Sequence, residues 1–199
     1  MDKRNYPVLS RRGFLTGTSK ATLSAAAVSL LAGCKLFGGD EGGGSGGGDA
    51  SGDVKILNVA LGLEHEAINA YQLGATSGLL QKPVLDVAVL FQSHHKAHRD
   101  ALVATINKLG GKPVAERKLE EYAKSLKADT LKSQTDVLTL AAKLELGATN
   151  AYLGVIPSFK DANLAKVAGR LAADETEHWT LLNKALGGKP PANALSFGA

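Results

Sequence analysis

Leu63-Glu64-His65-Glu66-Ala67-Ile68-Asn69-Ala70-Tyr71 and Leu144-Glu145-Leu146-Gly147-Ala148-Thr149-Asn150-Ala151-Tyr152 are one pattern written twice. Leu, Glu, Ala, Asn, Ala and Tyr recur in register, so Glu64 pairs with Glu145 and Tyr71 with Tyr152 at an offset of 81 residues. Further along stands a second pair, His95-Lys96-Ala97-His98 and Glu175-Thr176-Glu177-His178, offset by 80. A fixed offset of this kind marks a unit used twice. Here the unit is a helix with an inward Glu, then a helix with two ligand-type residues at i, i+3.

Four long helical patterns carry these residues, and no segment alternates as a strand would. The first runs from about Asp53, a good N-cap, to about Leu80, with Leu57, Leu61, Ile68 and Tyr71 as its apolar stripe. Glu64 falls inside that stripe, while His65 and Glu66 are expected at the surface. The second opens at Pro83, which suits a first helical turn, and closes at Gly110-Gly111. Val87, Phe91, His94 or His95, His98, Leu102, Ile106 and Leu109 form its stripe. Residues 112–129 are polar and read as a long connection with a short helical turn near 116–127, its charges facing solvent. The third pattern spans about Thr130 to Ile156, where Pro157 ends it, with Glu145 and Tyr152 on its inner face. The fourth runs from about Asp161 to Leu186, with Glu175 and His178 inward, and Gly187-Gly188 closes it. The fold class is all-α.

Each long helix therefore places Glu or His among its apolar residues. An unpaired carboxylate in an apolar interior must be paired, neutralised or metal-bound. Lys96 and Arg99, the nearest basic residues, should face out. Three carboxylates and at least three imidazoles are left without a buried cation, and a divalent or trivalent metal is the natural counter-charge for that donor set. Tyr71 and Tyr152, two turns beyond the glutamates, either hydrogen-bond these carboxylates, hold a radical or fill the core.

Phe91-Gln92-Ser93-His94-His95-Lys96-Ala97-His98 and Asp174-Glu175-Thr176-Glu177-His178-Trp179 give residues 54–187 a resemblance to the ferritin-like superfamily, most closely its exported bacterial members. Such bundles take a Glu from each of two helices and Glu-x-x-His from each of the other two. The resemblance implies a ferritin-like four-helix bundle: two antiparallel helix hairpins joined by a long crossover, here residues 110–129. It also implies metal ligation by Glu64, His98, Glu145, Glu175 and His178. His95 stands where the pattern offers Glu. A carboxylate bridges two metals through two oxygens, whereas a neutral imidazole offers one nitrogen to one metal. Two irons, a mixed pair, and one tight site beside a weak one all stay open. His94 competes with His95 because it shares a face with His98, but the repeat register favours His95. Trp179 reads as packing.

The first third of the 199-residue chain is of another kind. Ser10-Arg11-Arg12-Gly13-Phe14-Leu15 resembles a twin-arginine export signature, and the apolar run from Ala21 to Ala32 is too short to span a membrane. Leu31-Ala32-Gly33-Cys34 resembles a lipobox, which implies lipidation of Cys34 and removal of residues 1–33 as signal peptide. Cys34 is the single cysteine, so neither an internal disulfide nor a multi-cysteine metal site can form. Residues 34–52, Gly-rich, read as a flexible tether; residues 53–188 as the bundle; residues 189–199 as a tail. Five of the 23 basic and one of the 19 acidic residues precede Cys34, leaving 18 of each, so no basic footprint for nucleic acid remains.

The expectation is an exported protein anchored by Cys34 on the periplasmic face of a membrane. The outer membrane is favoured where there is one, because Lys35 follows Cys34 rather than Asp. Its bundle would hold a di-metal centre, iron first and manganese, copper or zinc next. Oxidation of Fe(II), or reduction of O₂ or peroxide, would be its chemistry if it is an enzyme, with a redox partner still to be named. A non-catalytic metal-binding or stress-protective module and a structural bundle with vestigial ligands are the alternatives. A homodimer is compatible with the tether; a closed storage shell is not.

Overall fold

Each of the four long patterns folds as a helix. The computed structural model describes residues 48–198; the expected export signature, apolar run, Cys34 and most of the Gly-rich tether lie outside the described residues. The helices are α1 (Gly48–Thr76), α2 (Lys82–Lys108), the short α3 (Leu119–Ser125), α4 (Gln134–Val155) and α5 (Ala162–Ala185). Strands are absent among the described residues, and none of their helices is long and apolar enough to cross a membrane.

Local chemistry sets the boundaries. Pro83 occupies the first turn of α2, and Gly110, at φ 74°, takes the left-handed position that ends it. Gly110 N–H then donates to Asn107 and Gly111 N–H to Ile106, closing the last carbonyls. Gly187 ends α5 in the same way. Asp161 caps α5, its carboxylate accepting from Asn163 N–H at 2.7 Å. The third long helix starts at Gln134 rather than near Thr130, because Ser133 accepts from Asp136 N–H while Asp136 accepts from Ser133 Oγ. Thr130 instead closes a short 3₁₀ turn, Ala128–Thr130. The first helix is displaced at both ends. It begins at Gly48, inside the segment read as tether, and stops at Thr76, with Gly78 at φ 72° beyond it.

Asp53 is therefore not a cap for its own helix. It is buried, and its carboxylate accepts from Lys160 N–H at 3.1 Å and Asp161 N–H at 3.4 Å in the α4–α5 connection.

The core falls into two clusters, and their membership gives the helix directions. One joins Leu57 and Leu61 at the start of α1 to Leu102 and Ile106 late in α2, Tyr152 late in α4, and Leu164 and Ala168 early in α5. The other joins Tyr71 late in α1 to Ala88 and Phe91 early in α2, Leu138 and Ala142 early in α4, and Leu182 late in α5. So α1 runs antiparallel to α2 and α4 antiparallel to α5: a ferritin-like bundle of two hairpins. Each buried Leu or Ile contributes about 1.5–3 kcal/mol to holding the helices together.

The crossover is pinned by polar residues of α1. Asn58 Oδ1 accepts from Val114 N–H at 2.6 Å and its Nδ2 donates to Lys112 O at 3.1 Å. His65 Nε2 lies 3.3 Å from Val114 O, and Asn69 Nδ2 donates to Glu116 Oε1 at 2.6 Å. His65 is thus buried beneath the crossover, contrary to its expected surface position. Stretch 116–127 is likewise no uniform solvated face: Tyr122 is buried and carries the Arg117 guanidinium 4.4 Å over its ring. At the other end the tail returns, Phe197 packing edge-on against Trp179 and Gly198 N–H donating to Asn150.

Replacing Asp53 by Ala strips acceptors from two backbone donors of the α4–α5 turn and should lower stability by about 1–3 kcal/mol in urea unfolding. Asp53→Asn, which keeps an acceptor, should recover most of that. Equal stability of both variants and the parent would show that the tie contributes nothing.

Candidate metal centre

Between the two apolar clusters lies a polar layer. Glu64 comes from the middle of α1, His95 and His98 from α2, Glu145 from α4, and Glu175 and His178 from α5. All are buried, from 0% exposure at Glu175 to 7% at His98. Helical spacing explains why they meet: each occupies a position where its stripe would otherwise continue apolar, so burying the stripe drags the polar groups inward.

The ligand-type atoms form two groups: Glu64, His95, His98 and Glu175 in one, and His95, Glu145, Glu175 and His178 in the other. Within each group the atoms lie within 4.8 Å of one another. His95 and Glu175 belong to both. Lys96 and Arg99 turn away to Gln92 and Asp100, and no Lys or Arg among the described residues pairs with the three carboxylates.

His95 spans the layer. Its Nδ1 lies 2.8 Å from Glu64 Oε2 and its Nε2 3.2 Å from Glu145 Oε1. His98 Nδ1 stands 3.2 Å from Glu175 Oε1, and His178 Nδ1 stands 3.3 Å from Glu175 Oε2 and 3.5 Å from Glu145 Oε2. These last contacts are close but misaligned. His98 Nδ1, His178 Nδ1, Glu145 Oε2 and both Glu175 oxygens have no hydrogen-bond partner. Buried polar atoms that neighbour each other without bonding are aimed at common points between them, as metal ligands are. The mixed nitrogen and oxygen donors fit iron, manganese, zinc or copper.

A surrounding set of residues orients this layer. Tyr71 donates to Glu145 and Tyr152 to Glu64, each tyrosine reaching the glutamate of the other repeat. Of the roles open to them, both tyrosines hydrogen-bond the carboxylates. His98 Nε2 lies 3.1 Å from Asp174 Oδ2, and His178 Nε2 lies 3.0 Å from His94 Nδ1. Both rings thus turn Nδ1 inward. His94 itself is exposed, outside either group. Phe91 stacks on His178 with centroids 4.1 Å apart and closes the layer toward the second apolar cluster.

The electrostatics follow from burial and pairing. Desolvation opposes ionisation of Glu64 and Glu145, but the hydrogen bonds of His95 and the charges of the nearby His98 and His178 outweigh it and hold both carboxyls below the usual range. At Glu175 desolvation wins and the carboxyl is raised. His95 and His178 are raised despite burial, by the carboxylates around them, and His98 is raised to about 10. Burial, then the adjacent Glu145 and Glu64, push the Tyr71 and Tyr152 phenols up, so both remain donors. Imidazolium can thus supply some of the positive charge that the sequence alone assigned to a metal. Protons and metal compete for the same nitrogens.

Two supporting contacts escape sequence reasoning: His94 on His178 and Asp174 on His98. The repeat offset held the signal, since position 94 matches 174 just as 95 matches 175.

The ferritin-like domain family model matches residues 52–188, well over half of the 199 residues, and the chain belongs to that family. No curated protein and no solved structure matches it.

Because His98 has a folded-state pKa of about 10 against an ordinary 6.5, its stabilising effect is complete below 6.5 and disappears as pH rises to 10. Metal-free protein should melt at steadily lower temperature across that window, and His98→Gln should flatten the trend. A melting temperature independent of pH there would show that these ion pairs do not hold the layer.

Proposed function

We propose that this ferritin-like protein is exported, is tethered to a membrane through a lipidated Cys34, and holds a di-metal centre, with iron the first candidate. The observation that carries the reading is the set of buried, unbonded nitrogen and oxygen atoms converging on two groups that share His95 and Glu175. Membership of the ferritin-like domain family supports it.

Glu64 and His98 would hold one metal and Glu145 and His178 the other, with Glu175 offering one oxygen to each side. Iron bound there would supply redox chemistry, the oxidation of Fe(II) coupled to the reduction of O₂ or peroxide. Tyr71 and Tyr152, by donating to Glu145 and Glu64, hold those carboxylates in place. Asp174 and His94 keep the imidazoles of His98 and His178 turned inward, as hydrogen-bonded partners of metal-bound histidines do. Phe91, stacked on His178, keeps water from that flank.

His95 favours a second reading, a non-catalytic site for copper or zinc. Its two nitrogens already lie against Glu64 and Glu145, so one metal could bind while the imidazole satisfies the rest. The tether rests on sequence alone: Arg11-Arg12 ahead of an apolar run, then Cys34 before a Gly-rich segment.

Elemental analysis after anaerobic Fe(II) loading should give about two metals per chain, the number a two-metal centre takes. Oxygen should then raise an oxo-bridged ferric absorption band. Glu175→Ala should cut the stoichiometry, and Asp174→Ala should weaken metal affinity by about 10–100-fold. No bound iron and no band would end the di-iron reading, and one copper or zinc per chain would establish the second. Cys34→Ser should release the protein from the membrane fraction; unchanged sedimentation with membranes would exclude the lipid anchor.

A further inference from the structure

The second apolar cluster is not fully filled. Ala67, Ala70 and Gly74 on α1, Ala88 on α2, Ala141 on α4 and Ala185 on α5 leave a cavity of about 260 Å³ among the four long helices. Interiors normally pack without voids of this size. Small residues arriving from every helix give the space a definite shape.

Its walls are apolar side chains, with one exception. Tyr71 lines it, but the Tyr71 hydroxyl is committed to Glu145 and offers nothing inside. Tyr71 and Phe91 form the wall toward the polar layer: Tyr71 stacks on His95 at 5.5 Å between centroids and Phe91 on His178 at 4.1 Å. Val87 and Leu181 also line the cavity, and they are 40% and 54% exposed, so the space communicates with the outside along them.

Size and chemistry restrict the occupant. A partner helix, about 10 Å across, is far too large. Water finds no partners in such a space, and an apolar cavity of roughly 150 Å³ stays dry and admits benzene. The larger volume here accommodates a ring with a short alkyl substituent, or an alkane of similar bulk. A charged or hydrogen-bonding group inside would lose its hydration without compensation.

We propose that this cavity is a binding site for an uncharged, apolar molecule of about one-ring size, seated against Tyr71 and Phe91 one side chain away from the candidate metal ligands. It would present an apolar substrate to that centre. This role rests on the metal reading, whereas binding itself does not.

Toluene and n-hexane serve as probes, with benzoate as a charged control, on protein carrying ¹³C-labelled methyl groups. Both hydrocarbons should shift the methyl resonances of Ala88, Ala141 and Leu182 saturably, and benzoate should not. Ala141→Phe fills the space and should weaken toluene binding at least tenfold with cooperative melting retained; Ala70→Leu does the same from another helix should that variant fail to fold. With Mn(II) bound, the protons of bound toluene should relax faster.

Absence of saturable shifts, or unchanged binding in whichever filled variants fold, overturns the site. So does a concentration-dependent dimer that covers Val87 and Leu181 and excludes toluene. Toluene bound without enhanced relaxation in Mn(II)-loaded protein overturns the position beside the centre. Toluene bound by a protein that takes up no metal supports the site while refuting the di-metal reading; metal uptake without toluene binding does the reverse.

Discussion

Three carboxylates and three imidazoles packed into one dry layer form the constraint on which the bundle turns. Removing such groups from water costs several kcal/mol for each ion, and only close mutual pairing offsets it. The layer cannot tolerate being loosely assembled. Tyr71, Tyr152, Asp174 and His94 each hold one member at a specific atom, so Glu145, Glu64, His98 and His178 are fixed by something outside the layer. The two apolar clusters on either side then act as clamps. Protons stabilise the layer when metal is absent, by charging His95, His98 and His178 against Glu64 and Glu145.

The internal repeat makes this layer a near-twofold object, and the departures from symmetry are informative. Glu64 mirrors Glu145, His98 mirrors His178, and the tyrosines cross over to each other's glutamates. Glu175 is mirrored by His95, and Asp174 by His94. Both acidic positions of the second repeat are thus imidazoles in the first. As a result His98 is backed by a carboxylate and His178 by a neutral ring, so the half around Glu64 and His98 has the more negative surroundings. The substitution that complicates the family pattern therefore gives two unlike halves rather than a degraded copy.

Most of the bundle was legible because its long helices obey the 3.6-residue period and end at Gly110, Pro157 and Gly187, whose backbone chemistry acts locally. The six layer residues were legible because the repeat gave each one an independent witness, and the structure brings all six together. His65 was misread because one-face logic assumes a helix with a wet back, whereas the back of α1 lies under the crossover. Asp53 was misread for a related reason: an Asp near a helix start looks like a cap, yet its partners, Lys160 and Asp161, are over a hundred residues away. The cavity left no periodic signal, since small residues at inward positions read as ordinary core until four helices are assembled.

Helix α1 explains how these features are coupled. It touches α2 and α4 through its apolar stripe, the crossover through Asn58, His65 and Asn69, and the α4–α5 turn through Asp53. A helix held on several faces has no freedom to rotate about its axis. His65 and Glu64 are adjacent, so a rotation that carried Glu64 away from His95 would pull His65 from Val114 at the same time. The polar crossover, which looks in sequence like a mere connector, therefore helps to aim the carboxylate of Glu64. The precision that the buried layer requires is supplied partly from outside the core, by hydrogen bonds to the crossover.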